Sequence, residues 1–138
     1  MALPERYDAG VYFIGIIRTP WRTRGECPRR GGPDGPICSI EVDPRWHEAL
    51  TGLTAPRRIQ VLYWMHQARR DLVLQTPFHT GVTSGTFALR SPVRPNPVAS
   101  SFVDLVSIED GTLRVRGLDC LDGTPLIDLK PDHGAVVS

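Results

Sequence analysis

Residues 102–118, FVDLVSIEDGTLRVRGL, decide the fold. Two runs rich in β-branched and other apolar residues flank the dipeptide Asp110-Gly111. That dipeptide accepts the positive φ angles of a type I′ turn, so the pattern predicts a β-hairpin with strands over 102–109 and 112–118. The core is therefore expected to be built from antiparallel strands.

A second hairpin is predicted immediately downstream. Two short runs, 120–121 and 126–129, are apolar except for Asp128, and they flank Asp122-Gly-Thr-Pro125. Asp-Gly again supplies the turn signal. The C-terminal part of the chain is thus expected to contain two hairpins in succession.

The rest of the chain adds short strands and one helix. Residues 59–66 are apolar on both faces, which is typical of a central strand, and Asp43-Pro44 supplies an N-cap and a first helical residue for a helix ending near Gly52. Seven or more strands favour a mainly β fold, a barrel or a sandwich, in a single domain over 1–138. The other predicted strands cover 12–17, 37–42, 72–74 and 85–89, and 20–36 forms a long loop.

Composition excludes several classes of protein. The 138 residues are 41% hydrophobic, and the longest apolar run, 11–17, is far too short for a membrane helix. Charges near the start argue against a signal peptide, so the prediction is a cytoplasmic protein. Three cysteines without a CxxC pair and four scattered histidines predict free thiols and no metal. The absence of a Gly-rich strand-to-helix turn disfavours a doubly wound nucleotide-binding fold.

The net charge of +1 combines two unlike halves. Residues 1–70 carry a net charge of +4 and residues 71–138 one of −3, and all basic residues except Lys130 are arginines. Four arginines lie in the loop 20–36, where they suit contacts with a nucleic-acid backbone. Arginines on an ordinary solvated loop are the alternative. The four are Arg22, Arg24, Arg29 and Arg30.

Residues 85–97, GTFALRSPVRPNP, are the most unusual segment. Ser91, Arg94 and Asn96 each precede a proline, which disfavours the α region and predicts a stiff, extended arm. Its arginines can clamp a phosphate or carboxylate, and the Asn96 amide can pair with the edge of an adenine. The alternative is a barrel-closing loop with solvated arginines.

Four stretches together resemble one known family. They are IGIIRTP at 14–20, YWMHQ at 63–67, the segment 85–97, and GLDCLDGTP at 117–125 continuing to DLKP at 128–131. In this order they are similar to the TrmO/YaeB (TsaA-like) tRNA methyltransferases. The resemblance implies a small single-sheeted β-barrel, a homodimer, S-adenosyl-L-methionine as cofactor and tRNA as substrate. The reaction implied is methylation of N6 of threonylcarbamoyl-adenosine beside the anticodon.

Methyl transfer from a sulfonium needs alignment and a proton acceptor rather than a covalent nucleophile, so Asp119, Asp122 and Asp128 are candidate acceptors. The resemblance implies three sets of site residues. The catalytic set is Asp122, Asn96 and Arg94. The cofactor pocket comprises Phe87, Ala88, Leu89, Arg90, Leu121, Asp122, Gly123, Thr124 and Pro125. The tRNA contacts are Arg29, Arg30, Arg94, Asn96 and His66.

The chain departs from the family pattern at a few positions. Val93 stands where the family usually has histidine, and Ala99-Ser100 stands where it has glycine and an apolar residue. These changes leave the acceptor nucleotide open. They also keep a second hypothesis, a non-catalytic barrel that binds S-adenosylmethionine or nucleic acid.

Overall fold

A computed structural model describes residues 1–28 and 31–133, and within them the chain is mainly β, as predicted. The strands are β1 Gly15–Arg18, β2 Ile37–Val42, β3 Arg57–Trp64, β4 Leu74–Gln75, β5 Ser84–Gly85, β6 Val98–Glu109, β7 Thr112–Arg116 and β8 Thr124–Pro131. Six of them close into an antiparallel barrel in the order β1–β2–β7–β6–β3–β8, and β4 and β5 form a separate pair. Short 3₁₀ helices cover Arg24–Glu26, Pro44–Leu50 and Thr86–Ala88.

The hairpin predicted at Asp110-Gly111 is confirmed. It joins β6 to β7, with φ of 49° at Asp110 and 78° at Gly111, and Glu109 pairs with Thr112 across the turn. A register shift between Leu105 and Ser107 adds a bulge to the long strand. Both positive φ values match the type I′ expectation, so the local pattern was sufficient here.

The second predicted hairpin is wrong. Residues 120–121 form no strand, and β8 pairs with β1 and β3 instead of folding back on the segment before it. The N–H of Asp122 donates to the Trp21 carbonyl (2.7 Å), and that of Gly123 donates to the Ile17 carbonyl (2.8 Å). The turn is therefore tied to β1 and the segment after it, about 100 residues earlier in the chain.

The remaining elements lie close to their predicted positions, but their bounds differ. β3 pairs with both β6 and β8, but each strand of the closed barrel has two neighbours, so β3 has no special central position. The predicted helix is a 3₁₀ helix, Pro44–Leu50, whose cap Asp43 accepts a hydrogen bond from the Arg45 N–H. β1 begins at Gly15 rather than at 12, and the strand predicted over 85–89 is mostly the 3₁₀ helix Thr86–Ala88.

The barrel interior is filled by alternate residues of its strands. They pack as one apolar cluster because neighbouring strands present their inward positions at the same level. The members below 2% exposure are Ile17, Ile40, Ile59, Val61, Val103, Leu105, Leu113, Val115 and Leu126.

The strand register divides the connections between the two ends of the barrel. Arg18 pairs with Ser39, Ile17 with Thr124 and Trp64 with Val98, so residues 19–36, 65–97 and 117–123 all leave from one end. We call this the motif end. The opposite end, called the helix end, carries the 3₁₀ helix Pro44–Leu50 and the Asp110-Gly111 turn. Over the described ranges, no helix is long and apolar enough to cross a bilayer.

Candidate functional site

The motif end holds the turn before β8 against the segment after β1. The Thr19 backbone N–H donates to Asp122 Oδ1 (3.1 Å), and the Thr19 hydroxyl donates to the Cys120 carbonyl (2.8 Å). These two bonds, with the one from the Asp122 N–H to Trp21, join segments 101–103 residues apart. Two of the sequence motifs that stand far apart in the chain are thus neighbours in space.

A buried polar network lies just inside this end. The Tyr63 hydroxyl donates to Asp119 Oδ1 (3.0 Å) and shares a hydrogen bond with Ser101 Oγ (2.8 Å). Tyr63 is only 3% exposed, and burial together with the nearby Asp119 charge raises the pKa of its phenol well above the usual value. The network therefore holds a neutral tyrosine that fixes one oxygen of Asp119.

Burial governs the cysteines at this end as well. It raises the pKa of Cys120 to about 12, so this thiol stays protonated. The pKa of Cys27, in the basic loop, is raised first by burial and then by the charge of Asp119. All three cysteines are free, as predicted, and the described residues contain no cluster of three or more metal-binding side chains.

The three candidate proton acceptors have different surroundings. Asp122 lies at the motif end, with Oδ2 3.9 Å from Arg18 Nη1 and its side chain 32% exposed. Asp119 Oδ1 accepts a hydrogen bond from the Tyr63 hydroxyl. Asp128 accepts the Leu129 N–H and lies 3.6 Å from Lys130 Nζ on the outer face of β8. Of these three candidates, Asp119 and Asp122 are the two that the fold brings to the motif end.

The segment 91–97 is bent rather than extended, so the predicted arm is wrong in its shape. Arg94 Nη1 donates to the carbonyls of Leu89 (2.8 Å) and Ser91 (2.9 Å), and Gln75 Nε2 donates to that of Val93 (2.7 Å). Prolines supply no N–H donors, so the carbonyls of this segment take arginine and glutamine side chains as partners. Arg94 is consequently turned back onto its own segment.

Sequence reasoning missed Arg70, which holds the other half of this segment. Its Nε donates to the Pro95 carbonyl (2.6 Å) and its Nη2 to Asn96 Oδ1 (3.3 Å), while the guanidinium lies over the rings of Tyr7 (4.8 Å) and Trp64 (5.2 Å). With its oxygen occupied, Asn96 keeps its amino hydrogens for another partner. Proximity to the YWMHQ motif was the only signal in the sequence, because these partners lie 25 and 26 residues away.

The predicted cofactor residues fall into two groups. Phe87 and Ala88 belong to the 3₁₀ helix Thr86–Ala88, and Leu89 and Arg90 follow it. Leu121 through Pro125 border β1 instead, and no hydrogen bond within the described ranges joins the two groups. Phe87 is 80% exposed, and Arg90 forms no hydrogen bond or ion pair with the described residues. The first group is thus open to a further partner.

The predicted tRNA contacts are only partly described. His66 follows β3 with an exposed side chain, at the motif end. Arg29 and Arg30 lie outside the described residues. The adjoining loop is ordered by Thr23 and Glu26, which form a capping box.

An apolar surface on the β4–β5 excursion was also missed. Phe78 is fully exposed, and the other members are more than half exposed. Exposed apolar side chains grouped on one excursion are typical of an interaction surface. The members, called the apolar arm, are Val73, Leu74, Phe78, Val82 and Phe87.

Comparison with known proteins gives consistent matches. The model of the tRNA-methyltransferase O N-terminal domain matches residues 16–135. A "Probable S-adenosyl-L-methionine-binding protein VirR" of Rhizobium radiobacter is 49% identical over 96% of this chain and 76% of its own length. The tRNA (adenine(37)-N6)-methyltransferase of Escherichia coli K12 is 32% identical over 86% of this chain and 55% of its own. A crystal structure of TrmO from Pseudomonas aeruginosa superposes with a TM-score of 0.75, at 31% identity, over 96% of this chain and 60% of that one.

Proposed function

The chain belongs to the tRNA-methyltransferase O family, and we propose that it transfers the methyl group of S-adenosyl-L-methionine to N6 of an adenosine in tRNA. The observation that carries the proposal is the convergence of the four family-like segments at the motif end. We also propose the threonylcarbamoyl-adenosine beside the anticodon as acceptor, a single domain over 1–138 and a cytoplasmic location, where tRNA is found. The chain spans 55% and 60% of the length of the E. coli enzyme and the solved TrmO.

The chemistry requires alignment and one proton acceptor. The methyl group leaves the sulfonium sulfur with the electron pair of the C–S bond staying on sulfur, while N6 forms the new C–N bond and loses a proton. Asp122 is the proposed acceptor, because Oδ1 is fixed by the Thr19 N–H and the side chain is 32% exposed. Asp119 is the second candidate, since only its Oδ1 is bonded to Tyr63. A well-placed acceptor accelerates such a step by about 10²–10⁴-fold.

Arg94 and Asn96 are proposed to orient the acceptor nucleotide. Arg94 shapes the bent segment through Leu89 and Ser91, and Asn96 keeps amino hydrogens that can donate to an adenine ring nitrogen. His66, Arg29 and Arg30 are proposed to contact the tRNA. Arginines in this role make binding depend on salt concentration.

The cofactor pocket is proposed to form between two copies of the chain. Phe87, Ala88, Leu89 and Arg90 would be supplied by one copy and Leu121, Asp122, Gly123, Thr124 and Pro125 by the other. The supporting observations are the exposure of Phe87 and the apolar arm around it, which a second copy would cover. Sedimentation of the wild type and of Phe78→Ser with Phe87→Ser tests this, with a dimer expected only for the wild type. A monomeric wild type would overturn it.

Binding and transfer together test the proposed function. Calorimetry with S-adenosylmethionine should show saturable binding, and radiolabelled methyl groups should pass to tRNA from a strain that lacks its own enzyme. The absence of binding at millimolar cofactor would overturn the proposal. Binding without transfer would support the second candidate, a non-catalytic barrel, which Val93 in place of the family's histidine favours.

Two variants separate the proposed cofactor and tRNA contacts. Arg90→Ala should weaken cofactor binding, because the exposed guanidinium has no partner among the described residues and is available to a ligand. Arg29→Ala with Arg30→Ala should weaken tRNA binding and reduce its salt dependence without changing cofactor affinity. Equal loss of cofactor affinity in both proteins would contradict this division.

A further inference from the structure

A cavity of about 410 Å³ opens at the helix end, across the barrel from the motif end. Its walls are mostly apolar and come from the barrel mouth and from the 3₁₀ helix Pro44–Leu50 with the residues after it. This volume lies in the lower range of pockets that hold small organic ligands, about 300–1,000 Å³. The main apolar contributors are Ile14, Trp46, Leu50, Leu53, Ile59 and Leu129.

Arg57 places a cation against this apolar space. Arg57 lines the cavity and lies on the same, inward-facing side of β3 as the buried Ile59, Val61 and Tyr63. Its Nε is buried and has no hydrogen-bond partner. An unpaired, desolvated donor on a charged group is costly, and the cost is removed when an anionic acceptor enters.

The other charged residues of the cavity wall belong to the outer face. Asp128 and Lys130 pair in register with Leu62 and Gln60, whereas Leu129 pairs with the buried Val61. Residues opposite each other in an antiparallel pair share a face, so the Asp128 carboxylate and the Lys130 ammonium, 3.6 Å apart, lie outside the barrel. Of the three charged residues that line the cavity, Arg57 is therefore the one on the inner face of the barrel.

We propose that the helix-end cavity binds a small amphiphilic monocarboxylate. The aliphatic or aromatic body fills the apolar space, and the carboxylate accepts the Arg57 guanidinium hydrogens in a bidentate pair. A single inward cation balances one negative charge, which favours a monocarboxylate over a phosphate dianion. The site is separate from the motif end and independent of the proposed methyl transfer.

Octanoate titrated into the full chain by calorimetry tests the proposal, with 1-octanol as the uncharged probe. Arg57→Gln removes the inward cation, and Arg58→Gln is the matched control on the outer face, where Arg58 pairs with Asp132 (3.1 Å). Octanoate should bind the wild type and Arg58→Gln alike, and Arg57→Gln at least about tenfold more weakly. Octanol should bind all three proteins equally and more weakly than octanoate binds the wild type.

A second variant keeps the test meaningful if Arg57→Gln folds poorly. Leu50→Trp places a larger side chain in the cavity wall and should abolish octanoate binding with the cation still present. Wild-type protein that fails to bind octanoate at millimolar concentration, or octanoate binding unchanged in Arg57→Gln and Leu50→Trp, would overturn the proposal. Competition between octanoate and S-adenosylmethionine would also overturn it, since that result places the probe at the motif end. Failure of methyl transfer would leave these results unaffected.

Discussion

The chain contains the dipeptide Asp-Gly three times, and the two C-terminal copies, at 110–111 and 122–123, have different roles. Asp110-Gly111 closes the β6–β7 hairpin, with its neighbours Glu109 and Thr112 paired directly across it. Asp122-Gly123 has a similar glycine conformation, φ of 82° against 78°, yet its N–H groups and its carboxylate bind β1 and the segment after it. The first copy forms a local turn, whereas the second connects distant segments by hydrogen bonds at the candidate site.

The largest expected difference between the two copies is in activity. Asp122→Asn keeps an oxygen that can accept the Thr19 N–H but removes the group proposed to take the N6 proton. We expect kcat/KM for tRNA methylation to fall about 10²–10⁴-fold. Single-turnover methyl transfer at saturating cofactor measures the effect on the chemical step.

Asp110→Asn is the matched control for Asp122→Asn. Asparagine tolerates the positive φ of 49° at this position, so neither stability nor activity should change much. If Asp122→Asn retains wild-type rates while Asp119→Asn loses them, the proton acceptor is Asp119 and the proposed role of Asp122 is wrong.

A smaller difference, in the free energy of unfolding, is expected when the glycine of each copy is replaced by alanine. Gly111→Ala would bring its Cβ into the His47 imidazole, whose Nε2 is held by the Val42 carbonyl (2.8 Å), whereas nothing lies within 4 Å of a Cβ at Gly123. Left-handed strain costs about 1–2 kcal/mol in both variants. Gly111→Ala should lose about 1 kcal/mol more through the displaced histidine.

Urea unfolding of the two glycine variants measures this difference. Gly123→Ala serves as the control, because it carries the strain without the collision. Equal destabilisation of the two proteins would show that His47 moves aside without cost.

The two copies also show what the sequence can predict. The apolar runs and the turn dipeptide between them predicted the β6–β7 hairpin, because both signals are local. The bonds of Asp122 to segments about 100 residues away, and those of Arg70 to Pro95 and Asn96, leave no local pattern. The prediction of an extended arm over 85–97 failed for the same reason, since the carbonyls of the bent segment accept hydrogen bonds from Arg70, Gln75 and Arg94.

The network at Tyr63 extends the comparison to a third long-range contact. Tyr63→Phe removes the hydrogen bonds to Asp119 and Ser101, 56 and 38 residues away, and should lower the free energy of unfolding by about 1 kcal/mol at neutral pH. Tyr12→Phe, at an exposed position, is the control and should change little. Urea unfolding measures both variants.

The pH dependence of that difference identifies its cause. Burial raises the pKa of Tyr63 in the folded state, so the stability that the neutral phenol contributes is complete below about pH 10 and is lost as the pH rises further. The advantage of the wild type over Tyr63→Phe should therefore shrink above about pH 10. Cys120, with a pKa raised to about 12, destabilises both proteins alike above about pH 9 and cancels in the comparison. A difference that stays constant from pH 8 to about 11 would mean that the folded protein ionises this tyrosine as readily as the unfolded chain does, and that the network at the motif end is open to water.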